Sequence, residues 1–157
     1  MQSEKLRTAP AVDARREMMR TVAHASLAEL SEAVGALGPL PAYVEVRKPE
    51  VGLVMLRGRI GGDGAAFNLG EATVTRAAVR LESGQLGFSY VLGRAPDKAL
   101  AAAIIDALWQ TSDGRERIEA AVLLPLRRMQ AQRDAKVAAE TAATRVDFFT
   151  LVRGEDQ

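Results

Sequence analysis

Residues 72–94 constrain the fold most, because two runs with strand-like alternation, 72–82 and 85–94, are separated only by Ser83-Gly84. A two-residue connection of this composition favours a tight primed turn and predicts an antiparallel hairpin. The turn fixes the register, and the register assigns the faces. Leu81 then lies opposite Leu86, Val79 opposite Phe88, Ala77 opposite Tyr90 and Thr75 opposite Leu92, and this face is expected to join the core. The other face pairs Arg80 with Gly87, Ala78 with Ser89, Arg76 with Val91 and Val74 with Gly93. On this reading Arg76 and Arg80 stand among small residues, about 13 Å apart along one strand.

Helix patterns flank the hairpin. Residues 1–10 read as a loose lead closed by Pro10, and a first helix follows over about 12–25. Ser26 and Glu29 have capping-box spacing. The helix they open carries Leu27, Leu30, Val34 and Leu37 as one apolar stripe, and Gly38-Pro39 stops it. Residues 43–47 alternate, with Val44 and Val46 on one face, and Pro49 interrupts. Residues 51–60 read as a second, well-buried strand, Gly61-Gly-Asp-Gly64 as a loop, and 67–69 as a short edge strand. After Pro96, Leu100, Ile104 and Leu108 recur every four residues, with Ile105 and Trp109 widening the stripe. Asp113 is placed to cap another helix, which Pro125 kinks or restarts. Residues 130–143 read as a charged, alanine-rich surface helix. The order predicts a single α+β domain over 1–157, with an antiparallel sheet of about four strands flanked by N-terminal and C-terminal helices.

The end of the chain is unusual. Termini are normally polar and frayed, yet Phe148 and Phe149, two of four phenylalanines, stand beside Val146, Leu151 and Val152. Exposed apolar surface costs about 25 cal/mol per Å², so residues 144–157 are expected to dock, on their own domain or on another protein. Asp147, between Arg145 and Arg153, is placed to form an ion pair that orders this tail.

Several function classes are disfavoured. The chain has no cysteine, which removes disulfides, thiol catalysis and Cys-based metal sites. Its formal charge is +1, with no concentrated basic face, so nucleic acid is not an expected partner. No signal-peptide pattern or bilayer-length apolar run is visible, which points to the cytoplasm and away from membranes. His24, the only histidine, has no nucleophile-elbow serine to serve, and a packed or partly exposed structural role is expected. Residues 61–64 lack the Gly-Lys-Ser/Thr of a phosphate loop and read as a turn. Asp106 is expected to be exposed rather than catalytic. No catalytic residue, metal ligand or bound cofactor is expected of this chain.

Residues 73–81, 86–94, 105–108 (Ile-Asp-Ala-Leu) and 145–154 (Arg-Val-Asp-Phe-Phe-Thr-Leu-Val-Arg-Gly) together resemble the PhnG family of the carbon–phosphorus lyase system, and Gly52-Leu-Val and Arg59-Ile-Gly-Gly62 fit the same pattern. The resemblance implies a cytoplasmic core complex with PhnH-, PhnI- and PhnJ-like subunits and a PhnL-like protein. In that complex MgATP is a substrate. A PhnI-like nucleosidase displaces adenine, and with the other proteins present an alkylphosphonate attacks the ribose, giving a ribose 1-alkylphosphonate 5-triphosphate. The PhnJ-like radical enzyme later cleaves the carbon–phosphorus bond. The resemblance thus implies an accessory subunit of alpha-D-ribose 1-methylphosphonate 5-triphosphate synthase. Two other readings stay open: a phospho-ligand-binding module on the Arg76/Arg80 face, and a homodimer closed by the tail. Candidate partner- or anion-binding residues are Arg59, Arg76, Arg80, Arg94, Arg145, Asp147, Phe148, Phe149 and Arg153.

Overall fold

A computed structural model of the chain describes residues 2–61 and 63–144, with side chains from Val12 onward. Five α-helices and three strands follow in the order α1 (Gln2–His24), α2 (Leu27–Gly35), β1 (Tyr43–Gly58), β2 (Phe67–Leu81), β3 (Leu86–Leu92), α3 (Pro96–Trp109), α4 (Ser112–Ile118) and α5 (Leu124–Ala143). A π-helical turn, Glu119–Leu123, joins α4 to α5. The α+β class holds. The sheet has three antiparallel strands in the order β1-β2-β3, rather than about four. Pro49 does not end β1, because β1 is an edge strand and register shifts around Arg47 and Glu50 absorb the proline's missing N–H. Residues 67–69 likewise belong to β2, which runs through Gly70 with a register irregularity at that level.

The hairpin is where expected, but its register differs by one residue. Gly84 N–H donates to the Leu81 carbonyl and Leu81 N–H to that of Gln85, so three residues, 82–84, make the connection. Gly84, at φ +96°, takes the left-handed position that such a loop requires. Ala77 therefore faces Ser89, Val79 faces Gly87, and Arg80 faces Leu86. A one-residue slip turns every side chain of β3 over. Gly87, Ser89 and Val91 point to the core, while Leu86, Phe88, Tyr90 and Leu92 point out.

That inversion suits α3. Its residues from Ala102 to Trp109 are all buried, so it is covered on every side, as a central helix must be. Four of its buried residues are alanines, Ala99, Ala102, Ala103 and Ala107, and a helix so thin packs close. A Cβ on Gly87 would stand 2.6 Å from the Ala107 nitrogen and collide with the Ala103 carbonyl. Ser89 Oγ donates to the Ala99 carbonyl at 2.6 Å. On the far side of α3, Met18, Val22, Leu30, Ile118, Val122, Leu123 and Leu126 complete the core.

Asp106, expected at the surface, is 1% exposed. Its carboxylate accepts from Arg15 Nε at 2.7 Å and Nη2 at 2.6 Å, and from Phe88 N–H at 2.8 Å. This single side chain ties α1, α3 and the outer edge of β3 together. Gln110 Nε2 takes the Leu86 carbonyl on the same edge at 2.7 Å. Thr75 Oγ1 donates to Gly93 O and accepts from Ala95 N–H, fixing the passage from β3 into α3.

The Ser26–Glu29 capping box forms as expected. Thr111, not Asp113, caps α4, its hydroxyl accepting from Gly114 N–H. Pro125 follows directly on the π-helical turn Glu119–Leu123, within a continuous helical run, and the widened turn is where the proline's missing N–H is accommodated. Residues 2–10, read from sequence as a loose lead, continue α1. Glu4, Lys5, Leu6 and Arg7 are strong helix formers, and Pro10 removes one backbone bond.

Candidate functional site

The described helices cover one face of the sheet, and no described element lies on the other. The register places Arg76 and Arg80 on that open face with Leu86, Phe88, Tyr90 and Leu92 rather than among small residues. Val44, opposite Arg80, and Val46 extend the apolar part onto β1. Phe88 is 48% exposed and Tyr90 59%. A shallow hollow of about 270 Å³ lies between Val46, Arg47, Arg76, Ala78, Phe88 and Tyr90.

The charges here are largely matched. Arg76 Nε donates to Glu50 Oε1 at 2.7 Å, and Arg47 approaches the same carboxylate at 3.3 Å. The bond to Glu50 raises the Arg76 pKa above its ordinary value, with a smaller contribution from Tyr90. The guanidinium spreads over Gly52. Arg76 is thus a clamp between β1 and β2, and an incoming anion would compete with Glu50 for it. Arg80 is exposed and borders a second hollow with Tyr43, Val44 and Glu82.

Among the described residues the candidate arginines do not form one cluster. Arg59 lies past the end of β1, nine residues beyond the Glu50–Arg76 level, or about 30 Å along an extended chain. Arg94 is exposed two residues after β3. Arg145, Asp147, Phe148, Phe149 and Arg153 lie outside the described residues.

A second apolar region was not singled out from sequence. β3 pairs with β2 only as far as Val74, so Leu53–Gly58 of β1 and the facing part of β2 form a bare two-stranded ribbon. Leu53 is 61% exposed, Leu69 64% and Ile60 77%, and Met55, Leu56 and Phe67 are exposed as well. The reading of 51–60 as a well-buried strand is therefore wrong for this surface, since no described element lies over it. The β-branched and apolar run forms the strand, but β3 ends too early to back it.

Elsewhere the polar chemistry is sparse. His24 is exposed and borders a hollow with Glu17, Arg20, Gln130 and Arg133, in which charges of both signs alternate. Among the described residues, no group of three or more His, Asp or Glu side chains is arranged to hold a metal ion. No described helix is long and apolar enough to cross a membrane.

An open apolar sheet face and an unbacked ribbon are features of a subunit surface more than of a catalytic cleft. Comparison with known families gives the same direction: the family described as "Phosphonate metabolism protein PhnG" matches residues 13–154. The chain belongs to the PhnG family. A PhnG relative from Rhizobium meliloti (strain 1021) is 54% identical over 142 residues, covering 90% of each chain. That relative is named alpha-D-ribose 1-methylphosphonate 5-triphosphate synthase subunit PhnG. The match takes in all three strands, every helix from α2 onward, and most of the tail.

Proposed function

We propose that this PhnG-family chain is an accessory subunit of alpha-D-ribose 1-methylphosphonate 5-triphosphate synthase in phosphonate breakdown. The observation that carries the reading is the 54% identity across 90% of both chains to a subunit of that name. The fold supports it, because apolar surface that would be costly to leave in water is concentrated on the sheet rather than scattered. The chain contributes surface and shape, while acid–base chemistry and nucleotide binding belong to its partners. Those partners are a PhnI-like nucleosidase first, with PhnH-, PhnJ- and PhnL-like proteins in the same cytoplasmic assembly.

The reaction supported is displacement at the ribose anomeric carbon. A phosphonate oxygen forms the new bond, the bond to adenine breaks, and adenine leaves with a proton. Packing a subunit against the nucleosidase excludes water from the reacting carbon, so that phosphonate is the nucleophile. Phe148 and Phe149 act as apolar anchors, as buried aromatics tend to at interfaces. Arg59, Arg80, Arg94, Arg145 and Arg153 supply rim charges, with Asp147 holding the tail's arginines. Arg76 is already engaged by Glu50, which weighs against a stand-alone phosphate site on this face.

Phosphorus NMR tests the proposal. MgATP and methylphosphonate are incubated with the PhnI-, PhnH- and PhnL-like proteins, with and without this chain. The ribose 1-methylphosphonate product should need the chain, and the chain alone should yield none. Equal product without it would refute the assignment.

A further inference from the structure

We propose that residues 51–56 of β1 receive an apolar β-strand from another subunit of the synthase, so that the sheet continues across the subunit boundary. The inference rests on the subunit reading above and adds the element and the mode of contact.

The two edges of the sheet are finished differently. On β3, the outward Phe88 N–H and Leu86 carbonyl are taken by Asp106 and Gln110 of α3. On β1, by contrast, no described side chain hydrogen-bonds to the strand's backbone. The first half of β1 nevertheless carries the usual defences against edge pairing: Glu45, Arg47, Lys48, Pro49 and two register irregularities. Residues 51–56 carry none, the next irregularity and charge coming at Arg57. Val51-Gly-Leu-Val-Met-Leu56 has neither charge nor proline, and Leu53 and Met55 are exposed beside the open backbone edge.

This undefended stretch coincides with the two-stranded ribbon. Two strands alone are marginally stable in water, and a third with apolar side chains is what makes such a ribbon stable. Strand addition supplies that third strand: main-chain bonds give affinity, and alternate side chains give selectivity.

Charge decides between occupants. Arg57 and Arg59 close the undefended stretch, and neither is in an ion pair among the described residues. A symmetric antiparallel pairing of 51–56 with a second copy would set Arg57 against that copy's Glu50, which Arg76 and Arg47 already hold, Gly58 against Pro49 and Arg59 against Lys48. The like charges of Arg59 and Lys48 and the missing N–H of Pro49 oppose it there. The fitting occupant is therefore a different chain: an uncharged, apolar strand of about six residues, followed by a carboxylate that meets Arg57 or Arg59.

Amide hydrogen exchange on the full chain, alone and within the assembly formed with the purified synthase subunits, tests this. Exchange of the outward amides of 51–56, those not bonded to β2, should be fast in the free chain and at least tenfold slower in the assembly. The Leu53→Lys, Met55→Lys double variant should weaken assembly at least tenfold while keeping the circular dichroism spectrum. If that variant fails to fold, the exchange result on the natural chain decides. Assembly with unchanged exchange over 51–56 overturns the strand proposal and leaves the subunit reading standing, whereas no assembly at all overturns both. Protection in the free chain that rises with its concentration overturns the proposal in favour of a second copy. Protection in the free chain lost on deleting 145–157 overturns it in favour of the chain's own tail.

Discussion

Replacing Gly87 with alanine separates the two hairpin registers by the sign of its effect. In the structure Gly87 faces α3, and an added Cβ would lie 2.6 Å from the Ala107 nitrogen and 2.8 Å from its Cβ, besides striking the Ala103 carbonyl. Two of these three atoms are helix backbone and cannot rotate away. Overpacking of this kind costs about 1–3 kcal/mol, and the upper end applies where backbone must shift. Alanine returns roughly 0.5–1 kcal/mol through lower chain entropy. The net expectation is a loss of about 2 kcal/mol, or a fall of ~1 M in the urea midpoint at an ordinary slope of ~2 kcal/mol/M. With a two-residue turn, Gly87 would instead face solvent beside Arg80, and the same change would be neutral or stabilising. Val91→Ala and Leu92→Ala give an independent check: Val91 is in the core and should lose about 2 kcal/mol, whereas exposed Leu92 should lose less than ~0.5. A Gly87→Ala protein as stable as the parent, or a reversed order for the other two, would refute the three-residue connection and the open aromatic face with it.

Other perturbations probe the joints of the fold. Asp106→Ala leaves Arg15 without its carboxylate and Phe88 N–H without an acceptor, and should lower stability by about 3 kcal/mol in chemical denaturation. Ser26→Ala removes the α2 cap and should cost ~1 kcal/mol, seen as a few degrees in Tm. Glu29 accepts from Ser26 N–H and pairs with Arg133, which holds its pKa below the ordinary 4.5. Its stabilisation is therefore complete above the unfolded value of 4.5 and is lost as pH falls through the lower folded value. Glu29→Gln should flatten the acid limb of the Tm profile below about pH 5, and an unchanged slope would count against that role.

Local signals were legible in the sequence where partners are close along the chain. Ser26 and Glu29 are three residues apart, and the α3 stripe and the hairpin's position follow from short-range period. The turn reads one residue short from sequence because Ser83-Gly84 looks complete. Gly84 in third place after Glu82-Ser83 fits the longer loop equally well. Gly87, Ser89 and Val91 did carry the correcting signal, since small residues are what a strand needs beneath a helix of alanines. Asp106 was not legible, because its partner Arg15 is 91 residues away. The exposed ribbon was hidden for a different reason: an apolar run looks alike whether it is buried within one chain or between two.

The central claim is that this chain works as a bound subunit rather than alone. Native mass spectrometry of the co-expressed synthase proteins, with ribosyl transfer measured on the same sample, tests it most directly. The chain should appear in a stoichiometric complex with the nucleosidase, and transfer should follow that complex's abundance. Finding it only as a free protein, beside an assembly that transfers at full rate, would contradict the account.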